Sequence, residues 1–246
     1  MPKIHENVRA TRNRMTPGQR HELVTAISKV IPEDMPADVA QHWIGHGRSL
    51  KIAMYQALMP LVTTGDPLVD WANLYKKCFG LDVGFGGLKI PKKKEGFGRL
   101  IVVARGLTPH SVYEACQKLF ACASAYEDLN QVSSFSTRDS AKSYAVWVRE
   151  REQADVENQG VSVNALHARG ANPITLVERM LYEMKYFVET GKHLDTTGTF
   201  TVCAGSRFSE GCVPGVYAHH RGIMSICGLN ELHQGHSLSA VREVVY

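Results

Sequence analysis

Between Asn172 and Gly191 the sequence carries the pattern that most restricts the fold. Val177, Met180, Leu181, Met184, Phe187 and Val188 recur at helical spacing, while Glu178, Arg179, Glu183, Lys185 and Glu189 fall mostly on the other sides. An apolar stripe of this kind has to be buried, so a helix here commits the chain to a packed core. Both ends are marked: Asn172 is placed to cap the first turn, Pro173 loses nothing at the first helical position, and Gly191 can take the left-handed conformation that ends a helix. The helix lies between two strand-like runs, Tyr144 to Arg149 before it and Thr199 to Ala204 after it.

Upstream, capping residues followed by proline mark further helices. Thr16-Pro17 with Gln19 forms a capping-box pattern ahead of Leu23, Val24, Ile27, Val30 and Ile31. A short helix carrying Trp43 is expected after Pro36, and a third from Ser49 to the break at Pro60. A fourth follows Asp66-Pro67, with Trp71, Leu74, Tyr75 and Cys78 on one side and Gly80 past its end. From Leu81 the texture changes. Val83 to Ile90 and Arg99 to Ala104 read as a hairpin with a basic tip at Pro91 to Gly96, Thr108-Pro109 opens a helix to about Tyr126, and Asn130 to Ser140 reads as a loop. Short strands are expected at Val213 to Tyr217, Ile223 to Cys227 and Ala240 to Val245. The fold class is therefore α+β: a helical N-terminal region (1–80) and then a mixed, mainly antiparallel sheet with packed helices (81–246), joined as two domains or as one continuous domain.

A chain of 246 residues buries enough apolar surface to fold without staples, which suits six scattered cysteines with no CxxC pair. No apolar run approaches the roughly 18 residues of a membrane span, and the start Met1-Pro2-Lys3-Ile4 lacks the apolar core of a signal peptide, so a cytoplasmic protein is expected. The formal charge of +4 is unevenly spread. Residues 1–105 hold 16 Lys+Arg against 9 Asp+Glu, a net of +7, and the remainder holds 12 against 15, a net of −3. A basic front half points to a polyanionic partner.

Four polar clusters carry the candidate chemistry. In Arg149 to Glu157, Glu152 and Asp155 would be neighbours on one face if the segment is helical, a spacing at which carboxylates hold Mg²⁺ or share acid and base work; Arg151 and Asp155 at four apart suggest a solvated ion pair instead. After the helix, His193 and Asp195 project to the same side if extended, so that Asp195 could orient the imidazole or join Glu152 and Asp155 around a divalent metal; alternatively Lys192 and His193 complement the helix end. In Gly205-Ser206-Arg207 the glycine admits a ligand to the backbone, Ser206 donates and Arg207 grips an anion, although this is no GxSxG nucleophile signature. Lys92, Lys93, Lys94 and Arg99, near Phe85 and Phe97, could make a phosphate-contacting hairpin with a stacking aromatic, or a solvated turn. Gly84, Gly86 and Gly87 follow a helix, not a strand, and do not fit a dinucleotide fingerprint.

The segments WVREREQAD at 147–155, GKHLD at 191–195 and AGSR at 204–207 resemble, as a set, a family of short hypothetical bacterial proteins over about residues 70–207. The resemblance implies no activity. From the residues themselves the expectation is a nucleic-acid-binding or nucleic-acid-processing protein. As an enzyme it would use Glu152, Asp155, His193 and Asp195 for metal-dependent phosphodiester hydrolysis, and Arg207, Ser206, Lys92, Lys93, Lys94 and Arg99 to hold substrate. The alternative is a non-catalytic assembly protein that forms an oligomer.

Overall fold

The computed structural model describes residues 15–47, 50, 54, 64–209, 211–219, 222–230 and 239–246. The chain divides into two units, Met1–Leu58 and Met59–Tyr246. In the first, α1 (Pro17–Val30) begins with the expected capping box: Gln19 N donates to Thr16 Oγ1, and Thr16 N to the Gln19 side chain. Trp43 sits on α2 (Ala37–Gly45). The expected helix from Ser49 to Pro60 lies outside the described residues apart from Leu50 and Met54, as does the arm bearing Arg9, Arg12 and Arg14.

The second unit opens with α3 (Pro67–Cys78), where Asp66 caps Leu68 N and Trp71, Leu74, Tyr75 and Cys78 are buried, as their spacing predicts. Two of these side chains tie the helix to β1 (Arg99–Val103): Trp71 Nε1 donates to Leu100 O at 3.1 Å and Tyr75 OH to Val102 O at 2.7 Å. This helix therefore packs on β1 and falls within the second unit.

Next come α4 (Pro109–Gln117), β2 (Ala121–Ser124), α5 (Leu129–Val132), β3 (Ser133–Ser136) and β4 (Tyr144–Val148). They are followed by a 3-10 turn (Val156–Asn158), α6 (Val163–Ala168), β5 (Asn172–Pro173) and α7 (Leu176–Thr190). The chain closes with β6 (Phe200–Val202), β7 (Ser206–Phe208), β8 (Val213–Ala218), β9 (Ile223–Leu229), β10 (Ser239–Val241) and β11 (Glu243–Val245). One sheet has the order β1-β4-β11-β5, all antiparallel; a second runs β10-β6-β8-β9-β2; β3 and β7 form a pair. Only β10/β6 and β2/β9 are parallel, so among the described strands the sheets are mixed and mainly antiparallel.

Several boundaries differ from the sequence expectation, each because a tertiary partner decides. Asn172-Pro173 does not start the helix: it pairs with β11 at the sheet edge, where a missing N–H costs nothing, and Thr175 caps α7 with Glu178 closing a capping box. Gly191, at φ 69°, ends the helix as expected. The helix from Pro109 stops at Gln117, and Ala121–Ser124 becomes an edge strand through its register with Ile223–Ile226. Part of the expected Asn130–Ser140 loop pairs with Ser206–Phe208. The hairpin at Val83–Ile90 does not form: β1 takes β4 as its partner, from Arg99↔Val148 to Val103↔Tyr144.

The largest surprise concerns α7. Met180, Leu181 and Met184 are core residues as expected, but Tyr182, Glu178, Arg179, Glu183 and Lys185 are buried as well. The polar side of this helix faces protein, and its charges must be answered by other side chains.

Candidate functional site

Arg179 and Arg242, both fully buried, clamp Asp195. Arg179 Nη2 donates to Asp195 Oδ2 at 2.8 Å, and Arg242 Nη2 donates to Oδ1 at 2.9 Å. Arg179 Nη1 also reaches Glu183 Oε2 at 2.6 Å, four residues along α7, while Thr201 Oγ1 donates to Asp195 Oδ2 at 2.6 Å and accepts from Arg242 Nε at 3.0 Å. Arg242 spends its remaining donors on the carbonyls of Arg151 (3.1 Å) and Glu152 (2.7 Å). Two guanidinium groups thus face two carboxylates, a charge balance that buried ions require. Burial alone would raise the Asp195 pKa; Arg242, then Arg179 and Thr201, outweigh it and hold the carboxyl below its ordinary value. Asp195 itself sits at φ 55°, a left-handed conformation that aspartate tolerates better than most residues. Arg242 occupies the break between β10 and β11, where the chain passes from one of the two larger sheets to the other.

The predicted catalytic residues gather here, but as structure. His193 Nδ1 lies 2.9 Å from Glu183 Oε1 and does not pair with Asp195. Glu152 touches the network through its backbone, with its Oε1 accepting from Thr196 Oγ1 at 2.8 Å. Asp155 Oδ2 accepts from Arg149 Nη1 at 2.5 Å and from Glu243 N at 2.9 Å. The segment 149–155 is not helical, because the carbonyls of Arg151 and Glu152 are taken by Arg242 and Asp195 N and cannot serve an i+4 ladder. The expected Arg151–Asp155 pair is therefore replaced by Arg149–Asp155 and Arg151–Glu157. Among the described residues no three His, Cys, Asp or Glu side chains are grouped to hold a metal. The carboxylate oxygens of Asp195 that a divalent cation would need are already occupied by arginines, so Glu152, Asp155 and Asp195 do not fit a Mg²⁺ centre.

Ser206 and Arg207 are also built into the fold. Ser206 Oγ accepts from Leu176 N at 3.0 Å, and Arg207 Nη1 donates to the carbonyls of Ala204 and Ser206 at 2.7 and 2.9 Å. Gly205 is obligatory for packing, not for ligand access: a Cβ there would lie 2.7 Å from Pro173 O. Burial pushes the thiols of Cys116 and Cys203 far up and that of Cys122 to about 12, which removes them as nucleophiles.

A different place is open to solvent. A groove of about 1160 Å³ is lined on one side by the 82–92 segment, including Lys89, Ile90 and Lys92, and on the other by Arg105, Lys142 and Tyr246. Its walls are fixed from beneath. Phe85 is buried and packs 5.8 Å from the Tyr75 ring, and Trp147 Nε1 donates to Pro91 O at 2.9 Å, holding the lysine-bearing segment on β4. Opposite, Arg105 N donates to Ser143 Oγ at 3.0 Å and Gly106 N to Ser140 O at 2.8 Å, which brings Arg105 and Lys142 to one rim. Gly87, at φ 82°, supplies a left-handed turn in the floor that a side chain would strain.

The other predicted phosphate ligands stand apart from this groove. Lys93 lies over the Trp147 ring at 5.2 Å, Lys94 Nζ is 3.8 Å from Glu243, and Arg99 is paired with Glu150 and Glu189. Phe85 and Phe97 are buried and cannot stack on a ligand. Sequence reading did not single out Arg105, Lys142 and Tyr246, which are isolated in the chain and carry no local pattern. Arg242 did leave a signal: with Glu243 it interrupts the apolar run Ala240 to Val245, and a charge there has to be paired once that run is buried.

No protein-family model, curated protein or solved structure matches the chain. Among the described residues no helix is long and apolar enough to cross a membrane.

Proposed function

We propose that the chain binds nucleic acid along the groove between the 82–92 segment and the Arg105/Lys142 rim. The observation that carries this reading is that Lys89, Lys92, Arg105 and Lys142 line one groove, are exposed, and make no ion pair among the described residues. The same lining holds two acids, Asp82, which is paired with Lys76 at 3.6 Å, and Asp139, so the four cations leave it net positive. Unpaired cations on a fixed wall release phosphate counterions when a nucleic-acid backbone binds, which drives association without any base contact. The reading is one of binding, not hydrolysis, since both carboxylate oxygens of Asp195 are engaged by Arg179 and Arg242, and Asp155 Oδ2 by Arg149.

Fluorescence anisotropy of a labelled oligonucleotide tests it. With four phosphates neutralised, the slope of log affinity against log salt should be about −3, which is roughly 50-fold between 50 and 200 mM. Replacing Lys89, Lys92, Arg105 and Lys142 by alanine should flatten that slope towards zero. Affinity indifferent both to salt and to the four replacements would falsify the reading.

A second reading, assembly into an oligomer, is favoured by α1, which buries none of its residues and leaves Val24 and Val30 59% and 76% exposed. Light scattering on the purified full chain separates the two: a monomer ends the assembly reading and leaves the groove untouched.

A further inference from the structure

We infer that the groove is built for a single strand, with Tyr246 as the platform on which one base stacks. This rests on the nucleic-acid reading above and narrows its substrate class. Tyr246 lines the groove and is 58% exposed. Its ring is held from two directions: the Arg138 guanidinium carbon lies 4.5 Å from the ring centroid, and the Tyr144 ring meets it edge-on at 5.7 Å and 83°.

The backing cation is itself immobilised. Arg138 Nε donates to Glu178 Oε1 at 3.0 Å and Nη1 to Thr137 Oγ1 at 3.1 Å, while Glu178 Oε2 is fixed by Thr175 N at 2.8 Å. Only 5% of the Arg138 side chain is exposed, and its Nη2 has no hydrogen-bond partner among the described residues. The guanidinium, paired with Glu178, therefore covers one side of the ring and leaves the exposed side for a ligand. Ile90, 41% exposed, lies in the same groove and gives a second base or a sugar an apolar contact.

Bases in a duplex are already stacked and paired, and presenting one to a side chain would cost their unpairing. Those of a single strand are free to stack on an aromatic, whatever their identity. The groove's cations set affinity for phosphates, and Tyr246 sets the preference for unpaired bases.

The test compares three probes on the full chain: a single-stranded 20-mer, the duplex of the same sequence, and inorganic polyphosphate. The single strand is expected to bind tightest. Tyr246→Ala should weaken it about 5- to 100-fold, Tyr246→Phe should retain it, and neither should change polyphosphate binding. Thermal melting of each variant checks that the fold survives. Equal binding of single strand and duplex, with Tyr246→Ala without effect, overturns the stacking platform while leaving the cationic groove standing. If none of the three probes binds, both readings fall.

Discussion

The region around α7 and the groove at the 82–92 segment are made from the same few residue types and use them in opposite ways. Around α7, Arg179 meets the carboxylates of Glu183 and Asp195, and Arg242 meets Asp195 and two backbone carbonyls, all within hydrogen-bond distance inside a region closed to solvent. In the groove, Lys89, Lys92, Arg105 and Lys142 are exposed and make no ion pair among the described residues. A charge whose partners lie inside the protein is part of the architecture; a charge without them is available to something else. This contrast moves the functional reading away from His193 and Asp195, where charge is densest, to the wall where charge is unanswered.

The contrast breaks most sharply at Asp195. Asparagine in its place keeps the shape but faces two buried guanidinium groups with a neutral amide, so Asp195→Asn should cost about 3–5 kcal/mol of stability in urea or thermal unfolding. Oligonucleotide affinity of the folded fraction should stay within about twofold of the parent, because the groove's cations are elsewhere. Loss of binding without loss of stability would mean that the network, and not the groove, is the working site.

The sequence shows why these two regions are so unequally legible. The core stripe of α7, the Gly191 stop, the α3 face and strands such as Ile223–Leu229 follow from local periodicity, and they are present. The exchange of Asn172-Pro173 from helix cap to edge strand was invisible, because it depends on β11, some seventy positions further along. Glu178, Arg179, Glu183 and Lys185 fall outside the apolar stripe, and nothing nearby in the chain announces Arg138, Asp195 or Arg242 as partners. His193 and Asp195 were legible as important, but their role was not. Whether a carboxylate is a reactive base or a counter-ion depends on what stands beside it in space. The groove is harder still, assembled from cations contributed by three separate stretches.

Acid should separate the regions next. Asp195 has its folded pKa held below the ordinary value of 3.8, so its contribution to stability is present above that value and is lost as pH falls through the lowered one. Asp155 runs the other way: burial raises its pKa despite the Glu243 amide and Arg149, so its charged form is penalised as pH rises through the folded value. Unfolding free energy should therefore drop steeply only below about pH 4, by on the order of 1–3 kcal/mol, and the drop should be shallower in Asp195→Asn. Asp195 does not line the groove, so binding by the folded protein should persist until the network fails. A stability curve with the same acid limb in both proteins would exclude Asp195 as its source.

The smallest effect is expected where an ion pair of good geometry lies in water. Arg151 Nη1 donates to Glu157 Oε2 at 2.7 Å, nearly the distance of the buried Arg179–Asp195 contact, yet 41% and 48% of the two side chains are exposed. Solvent screens the attraction, and holding two long side chains in one geometry costs entropy, so Arg151→Ala should change stability by no more than about 0.5 kcal/mol. That substitution leaves the Arg151 carbonyl in place for Arg242, which keeps the comparison clean. A urea midpoint shifted as far as that of Asp195→Asn would show that distance, and not exposure, sets the worth of a charge pair in this protein. The basis for treating the exposed cations of the groove as free to bind a partner would then be lost as well.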